Sequence, residues 1–336
     1  MHNVTLIKGD GIGPSIMDAA VRIITASGVK INWEVADAGM AAYDKCGNPI
    51  PDETLASIDR NRIVFKGPLT TPVGKGFRSI NVALRQQYDL YANARPAKSW
   101  KGAQTLYKDV DLVIVRENTE GLYMGLEHFL TNQKDIATST AVVTRKGAER
   151  IVEYAFKYAR ENGRKKVTVC HKANILKCSS GLFLDVAREV AARYPDIECE
   201  DKIVDAICMH LVMNPHQFDV IVTTNMFGDI LSDLAAGLVG GLGLTAGANI
   251  GQDAALFEAV HGSAPDIAGK NIANPVAVIM AGVMMLHHMG EHAAADRIQA
   301  ATEKVVAEGK QVTPDLNPNS GAGTIEMADA IIAAMS

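Results

Sequence analysis

Short runs of consecutive apolar residues alternate along this chain with longer segments whose apolar positions recur every three or four residues. Residues 4–7, 63–65, 112–115, 166–170 and 220–223 form the short runs and read as buried strands. Residues 15–27, 146–162 and 181–194 carry the helical period. Strands alternating with helices predict an α/β architecture with a mostly parallel sheet. No internal repeat or low-complexity segment breaks the alternation. Residues 276–286 are apolar but too short to span a bilayer. Residues 234–252 are uncharged, yet six glycines interrupt them, which predicts a tightly packed Gly-rich core. Pro96 and the Gly-rich stretch 240–243 mark expected crossover points between lobes.

A length of 336 residues corresponds to about two domains or lobes. Hydrophobic residues, at 48%, suffice for a sizeable core. The net charge of −5 argues against a nucleic-acid or membrane partner, but leaves room for a local basic pocket and an acidic substrate. Five cysteines without a CxxC pair fit neither a disulfide framework nor a zinc site, and imply a reducing compartment. The N-terminus runs directly into an apolar strand without a signal or transit pattern, so the expected location is cytoplasmic.

The first strand leads into Gly9-Asp10-Gly11-Ile12-Gly13-Pro14. A dinucleotide-binding turn needs G-x-G-x-x-G, and here proline stands where the third glycine belongs. Pro14 instead suits the first turn of a helix, where its missing N–H costs nothing. Asp37 is a poor match for the acid that would bind a ribose. The turn reads as a tight structural one, and no Rossmann loop is expected.

The segment FRSINVALRQQYDLYANARP places Arg78, Arg85 and Arg95 within twenty residues, with Ser79 and Asn81 between them. On a helix Asn81 and Arg85 share a face. Guanidinium forks bind carboxylates bidentately, so the segment reads either as a polyanion site or as a solvated basic face. Arg116 follows a buried strand, where α/β proteins place ligand sites. Asp229 and Asp233 stand four apart after another strand, and like charges at that spacing repel. A divalent cation would relieve the repulsion, with Asp205 as a third oxygen ligand. The alternative is that Asp229 serves the helix dipole. Tyr123 and Lys172, also just past strands, are candidates for proton transfer where burial or cations tune them. His288 and His292 have metal-ligand spacing but no third ligand nearby, and read as a solvated helix face. Residues 261–275, HGSAPDIAGKNIANP, form a loop of small residues able to wrap a nucleotide. These features together describe a metal-dependent enzyme acting on a small multi-carboxylate.

Seven ordered motifs carry a resemblance over nearly the whole chain: GDGIGP, KGPLTTPVGKG, DLYANARP, RENTEGLY, HKANI, TTNMFGDILSD and HGSAPDIAGKNIANP. With them the chain resembles the β-decarboxylating dehydrogenases, the family of isocitrate, 3-isopropylmalate and homoisocitrate dehydrogenases. The resemblance implies a two-lobe α/β fold of isocitrate/isopropylmalate dehydrogenase type. Residues 1–90 and 241–336 would form a large cofactor-binding lobe, and 91–240 a small lobe with the dimer interface. A homodimer or higher homo-oligomer with a shared active site is implied. Arg85, Arg95 and Arg116 would grip the carboxylates of a tricarboxylate substrate, with Ser79 and Asn81 on its distal arm. Asp229 and Asp233 would hold Mg²⁺ or Mn²⁺ together with Asp205 from the neighbouring subunit. Lys172, also from the partner, would help remove the hydroxyl proton, and Tyr123 would protonate the enol carbon.

The cofactor implied is NAD, its adenosine end in the loop of His261, Asp266, Ile267 and Asn274, with Lys66 and Thr70 bordering the nicotinamide. Asp266-Ile267 stand where NADP-using members carry Lys-Tyr, and Pro314 and Pro318 take the downstream phosphate-binding positions. Lys75 stands where such loops commonly carry glycine. Ser79 and Asn81 match the isocitrate pattern. The expected activity is NAD-dependent oxidative decarboxylation of isocitrate to 2-oxoglutarate and CO₂. Homoisocitrate dehydrogenase and a non-catalytic regulatory subunit of isocitrate dehydrogenase are the alternatives.

Overall fold

The computed structural model describes residues 1–70 and 79–336. Its strands are β1 (His2–Ile7), β2 (Ile31–Ala36), β3 (Ile63–Lys66), β4 (Ala92–Lys98), β5 (Asp111–Glu117), β6 (Glu127–Phe129), β7 (Ala137–Ser139), β8 (Lys166–His171), β9 (Glu198–Ile203), β10 (Val220–Thr223), β11 (Ala246–Ile250) and β12 (Ala255–Ala259). The α-helices are α1 (Gly13–Ala26), α2 (Met40–Cys46), α3 (Asp52–Asn61), α4 (Ile80–Gln87), α5 (Arg145–Glu161), α6 (Ser179–Ala191), α7 (Val204–Met213), α8 (Asn225–Leu238), α9 (Val276–His288), α10 (His292–Glu308) and α11 (Thr324–Ala334). The five predicted strands are present as β1, β3, β5, β8 and β10, and the three predicted helices as α1, α5 and α6.

Ten strands form one sheet in the order β2-β1-β3-β12-β11-β4-β5-β10-β8-β9, while β6 and β7 form a separate hairpin. Pairing is parallel toward both ends of the sheet. It is antiparallel only in the seam where β12, β11, β4 and β5 adjoin. Helices cover both faces, so the parallel strands are buried on two sides and read as unbroken apolar runs. The pattern missed the edge strands β2 and β9, which are largely half-exposed. It also missed β4, β11 and β12, where Asn93, Arg95, Asn249 and Glu258 interrupt the apolar sequence.

Four apolar clusters hold the helices to the sheet. One joins Ile16, Ile23, Phe65, Val276 and Ile298, and a second, on the opposite face, joins Ile58, Val64, Leu84 and Leu256. Both draw mainly on the two ends of the chain. The middle of the chain builds the other two, around Phe156, Val169 and Phe183 and around Ile114, Ile207 and Leu231. The run 276–286 becomes the buried part of α9. Among the described residues no helix is long and apolar enough to cross a membrane. The stretch 240–243 lies where the chain leaves α8 for β11 and so returns to the first half of the sheet.

Pro96 lies inside β4 rather than between lobes. β11 pairs with β4 only at Ala92–Ala94, so beyond that point the strand has a neighbour on one side only, an edge-like setting that tolerates proline. The glycine turn packs against the protein's own loops. Ile12 N donates to Ser263 O at 2.9 Å and Asp10 N to Pro68 O at 2.8 Å. The Asp10 carboxylate accepts from the backbone of Met40, Ala41 and Thr70. Pro14 occupies the first turn of α1, as its fixed φ favours. Gly11 has φ +59°, and a Cβ there would lie 2.0 Å from Ser263 O.

Steric exclusion and backbone strain can be separated at two glycines. Gly11→Ala should cost roughly 1–3 kcal/mol or more, because a left-handed φ and a backbone clash act together. Gly28, at φ +89° with open space around its missing Cβ, provides the comparison. Gly28→Ala should cost only about 1–2 kcal/mol. Urea unfolding measures both; equal losses would show that Ser263 does not limit the turn.

Candidate active site

Side chains alternate along β4, β11 and β12, and the register places Asn93, Arg95, Asn249 and Glu258 on one face of the seam. Arg116 of β5 joins them by pairing opposite Asn93. Glu258 is buried at 6% exposure in an otherwise apolar strand. Its carboxylate lies 2.8 Å from Lys66 Nζ and 3.3 Å from Arg85 Nη2, and accepts from Asn249 Nδ2 at 2.8 Å. Asn249 Oδ1 in turn accepts from Asn93 and Asn118, each at 2.9 Å. Burial alone would raise the Glu258 pKa, but Lys66 and Arg85 outweigh it and hold the group at about 2.

Beside this network the guanidinium groups converge. Arg116 is 1% exposed, donates to Asn225 Oδ1 at 2.7 Å through Nη2, and pairs closely with Asp229. Arg95 Nη1 donates to Ser232 Oγ at 2.7 Å and lies 3.5 Å from Asp229 and 3.6 Å from Asp233. Burial, then Arg116 and Arg85, lower the Arg95 pKa to about 10. Tyr123 donates to Asp229 Oδ2 at 2.5 Å, and Arg116 stands 5.0 Å over its ring. Burial and the hydrogen bond to Asp229 raise the Tyr123 pKa. Burial would raise that of Asp229, but Arg116, Tyr123 and Arg95 together lower it. α8 approaches closely because Gly228 has no side chain; a Cβ there would meet Arg116 Cγ at 2.5 Å.

The structure thus brings Arg85, Arg95, Arg116, Tyr123, Asp229 and Asp233 into one cluster. Asn81 and Arg85 share α4, and Asn81 Oδ1 is buried without a partner among the described residues. Ser79 directly precedes that helix. Arg78 and Lys75 lie outside the described residues. Thr70 Oγ1 bonds Ser263 Oγ at 2.7 Å, which sets the 66–70 strand end against the loop 261–275. In that loop His261 Nε2 is buried without a partner among the described residues, and Asp266 is exposed. Ile267 packs on the core, and Asn274 bonds Asp315 and the start of α9.

Asp205, expected to reach Asp229 and Asp233 from a neighbouring subunit, pairs with Lys172 Nζ at 2.5 Å in its own chain, and no group of three acids, histidines or cysteines able to hold a metal occurs among the described residues. Two expectations need correction. Asp229 sits in the second turn of α8, too far along for the helix dipole, and guanidinium groups compensate it instead. His288 and His292 do not share a helix, because α9 ends at His288 and α10 begins at His292; the imidazole near His292, at 3.1 Å, is that of His287. Sequence reasoning missed Glu258 altogether. Its signal was a lone acid inside the apolar run ALFEA, which has to be paired if the strand is buried.

The sequence model of the isocitrate/isopropylmalate dehydrogenase family matches residues 3–331. The probable mitochondrial NAD isocitrate dehydrogenase subunit alpha of Drosophila melanogaster is 51% identical over 313 residues, covering 93% of this chain and 82% of its own. The 3-isopropylmalate dehydrogenase of Archaeoglobus fulgidus is 48% identical over 331 residues, 98% of both chains. The crystal structure of isocitrate dehydrogenase from Methylococcus capsulatus aligns with a TM-score of 0.97 at 65% identity, over 100% of this chain and 99% of that one. The chain belongs to the isocitrate/isopropylmalate dehydrogenase family, a family of decarboxylating dehydrogenases.

Glu258→Gln keeps the shape of the hub and removes its charge, leaving Lys66 and Arg85 buried without their carboxylate. A loss of about 3–5 kcal/mol at neutral pH is expected. The folded pKa lies below the ordinary 4.5, so the stabilisation is complete above about 4.5 and is lost as pH falls toward 2. Denaturant unfolding as a function of pH should show this acid limb in the parent and not in the variant.

Proposed function

We propose that this protein is an NAD-dependent isocitrate dehydrogenase that converts isocitrate to 2-oxoglutarate and CO₂ with a divalent cation, working as a homodimer or larger homo-oligomer. The observation that carries the reading is the convergence of three buried guanidinium groups, Arg85, Arg95 and Arg116, beside the seam. Such a cluster favours a ligand with several carboxylates. Arg85, Arg95 and Arg116 bind and orient them. Ser79 and Asn81 offer a hydroxyl and an amide N–H as donors to a distal carboxylate, which an apolar arm would leave unused. The 65% identity to the Methylococcus isocitrate dehydrogenase supports this choice. The competing reading is 3-isopropylmalate, favoured by the near-equal identity to enzymes bearing that name.

Asp229 and Asp233 carry the oxygen donors that Mg²⁺ or Mn²⁺ takes, one helical turn apart. Asp205 completes the set only from a neighbouring subunit. Exposed Met226 and Ile230 on α8, with Met209 and Met213 on α7, give that subunit an apolar surface beside the site. Asp266 suits NAD, because its carboxylate accepts from ribose hydroxyls and repels a 2′-phosphate. His261, whose buried Nε2 has no partner among the described residues, would line the rest of the cofactor path with Lys66, Thr70, Ile267 and Asn274. When bound, the cation supplies Lewis acidity at the substrate hydroxyl and NAD supplies a hydride acceptor. Tyr123, its pKa raised by burial and Asp229, holds a proton through neutral pH and delivers it to the carbon that loses CO₂. Lys172 of the neighbouring subunit takes the hydroxyl proton.

A panel of isocitrate, homoisocitrate and 3-isopropylmalate with NAD and NADP tests the assignment. The highest kcat/KM should belong to isocitrate with NAD, and Asn81→Leu should cost that pair about 1–3 kcal/mol in transition-state binding. Preference for either other acid, or for NADP, overturns it.

The shared site is tested by complementation. Tyr123→Phe and Lys172→Met should each lower kcat by about 10²–10⁴-fold. Mixed after subunit exchange, the two variants should regain part of the activity, since one site of each heterodimer has both groups. No recovery would mean that each chain supplies its own site.

A further inference from the structure

The face of the seam opposite the arginines carries a second cleft. Pro96 of β4, Ala246, Ala248 and Ile250 of β11 and Phe257 of β12 form its floor. Pro96, Ala248, Ile250 and Phe257 are each offset by one residue, and Ala246 by three, from Arg95, Asn249 or Glu258, so this cleft and the arginine cluster use opposite faces of the same strands. Met280 and Met284 of α9 form one wall, and Tyr154 and Tyr158 of α5 the other. The cavity measures about 910 Å³. That is the size of a small-molecule site.

Polar side chains make up about half of its lining, among them Lys98, Arg164, Glu161 and the imidazoles of His287, His288 and His292. The rings of Tyr154 and Tyr158 stack at 6.3 Å, and neither hydroxyl has a hydrogen-bond partner among the described residues. The charged groups at its rim are largely spent on one another: Arg164 pairs with Asp111 and Asp219, and Lys98 with Glu303 at 2.9 Å. An apolar floor, a wall of two tyrosine rings and two idle phenol donors match a ring system that bears a hydrogen-bond acceptor.

We propose that this reverse cleft binds a small aromatic molecule carrying an acceptor group, and that its occupant acts on the substrate cleft through β4, β11 and β12. The proposal does not depend on which acid the enzyme oxidises. The strands that form the floor carry Arg95, Asn249 and Glu258 on their other face, and a packed sheet passes a displacement of its backbone to both sides.

Anilinonaphthalenesulfonate, an aromatic anion whose sulfonate accepts hydrogen bonds, is a suitable probe on the whole enzyme. The chain has two tryptophans, Trp33 and Trp100, and Trp100 lines the cleft. Excitation of tryptophan should therefore produce probe emission that Trp100→Phe lowers, leaving the part that Trp33 supplies. Met284→Glu places an anion in the wall and should weaken probe binding at least tenfold; Tyr158→Phe removes one donor and should weaken it several-fold. Saturating probe should change the KM for the acid substrate at least twofold in the parent and not in Met284→Glu. Thermal melting checks both variants, and Tyr158→Phe decides alone if Met284→Glu melts early. Probe affinity indifferent to the substitutions in folded protein, or a KM shift absent or shared by the variant, overturns the proposal.

Discussion

A single buried carboxylate, Glu258, holds the seam together. It is the counter-ion of Lys66 from β3 and of Arg85 from α4, and through Asn249 it reaches Asn93 on β4 and Asn118 beyond β5. These groups come from distant parts of the sequence and meet where the parallel halves of the sheet join. Buried cations on this scale are stable only when paired and fully hydrogen-bonded. Lys66 has a second acceptor in Gly67 O at 2.9 Å, whereas Arg85 Nε is buried with no partner among the described residues. Arg95 Nε is left in the same state. The scaffold thus neutralises most of the charge it buries and leaves donor capacity over on two of its arginines.

The division of labour among the remaining acids follows from position. Asp229 is drawn between Arg116, Arg95 and Tyr123, so its charge is held on the carboxylate and a proton on the phenol. Asp233, a turn further along α8, meets only Arg95 at 3.6 Å, and burial raises its pKa. Lys172 and Asp205 form a separate ion pair at the ends of β8 and β9. One chain therefore contains two polar clusters, each with groups the proposed chemistry requires, and exposed apolar side chains on α7 and α8 lie near both.

Much of the architecture was legible in the sequence because parallel strands covered on both faces leave unbroken apolar runs, as in β5 and β10. The decoy glycine turn was legible too, through Pro14. What stayed hidden was the seam. Its strands carry arginine, asparagine, glutamate, glycine and proline, and antiparallel pairing between distant segments leaves no local signal. Arg85, Arg95 and Arg116 were recognisable as chemistry from their context, whereas Glu258 looked like one residue in a short apolar stretch. The separation of Asp205 from Asp229 and Asp233 could not be read from spacing, since only the packing of α7 and α8 decides it.

The offset between the two faces of β4 also bears on how the chain finds its fold. Arg95 and Pro96 are adjacent, and a slip of one residue in pairing would exchange them. The slipped strand would press a guanidinium against Phe257 and Ala248, away from every acid that answers it. The same charges that equip the cleft thereby act as a proofreading device for strand register, rejecting the misaligned sheet before the seam can close.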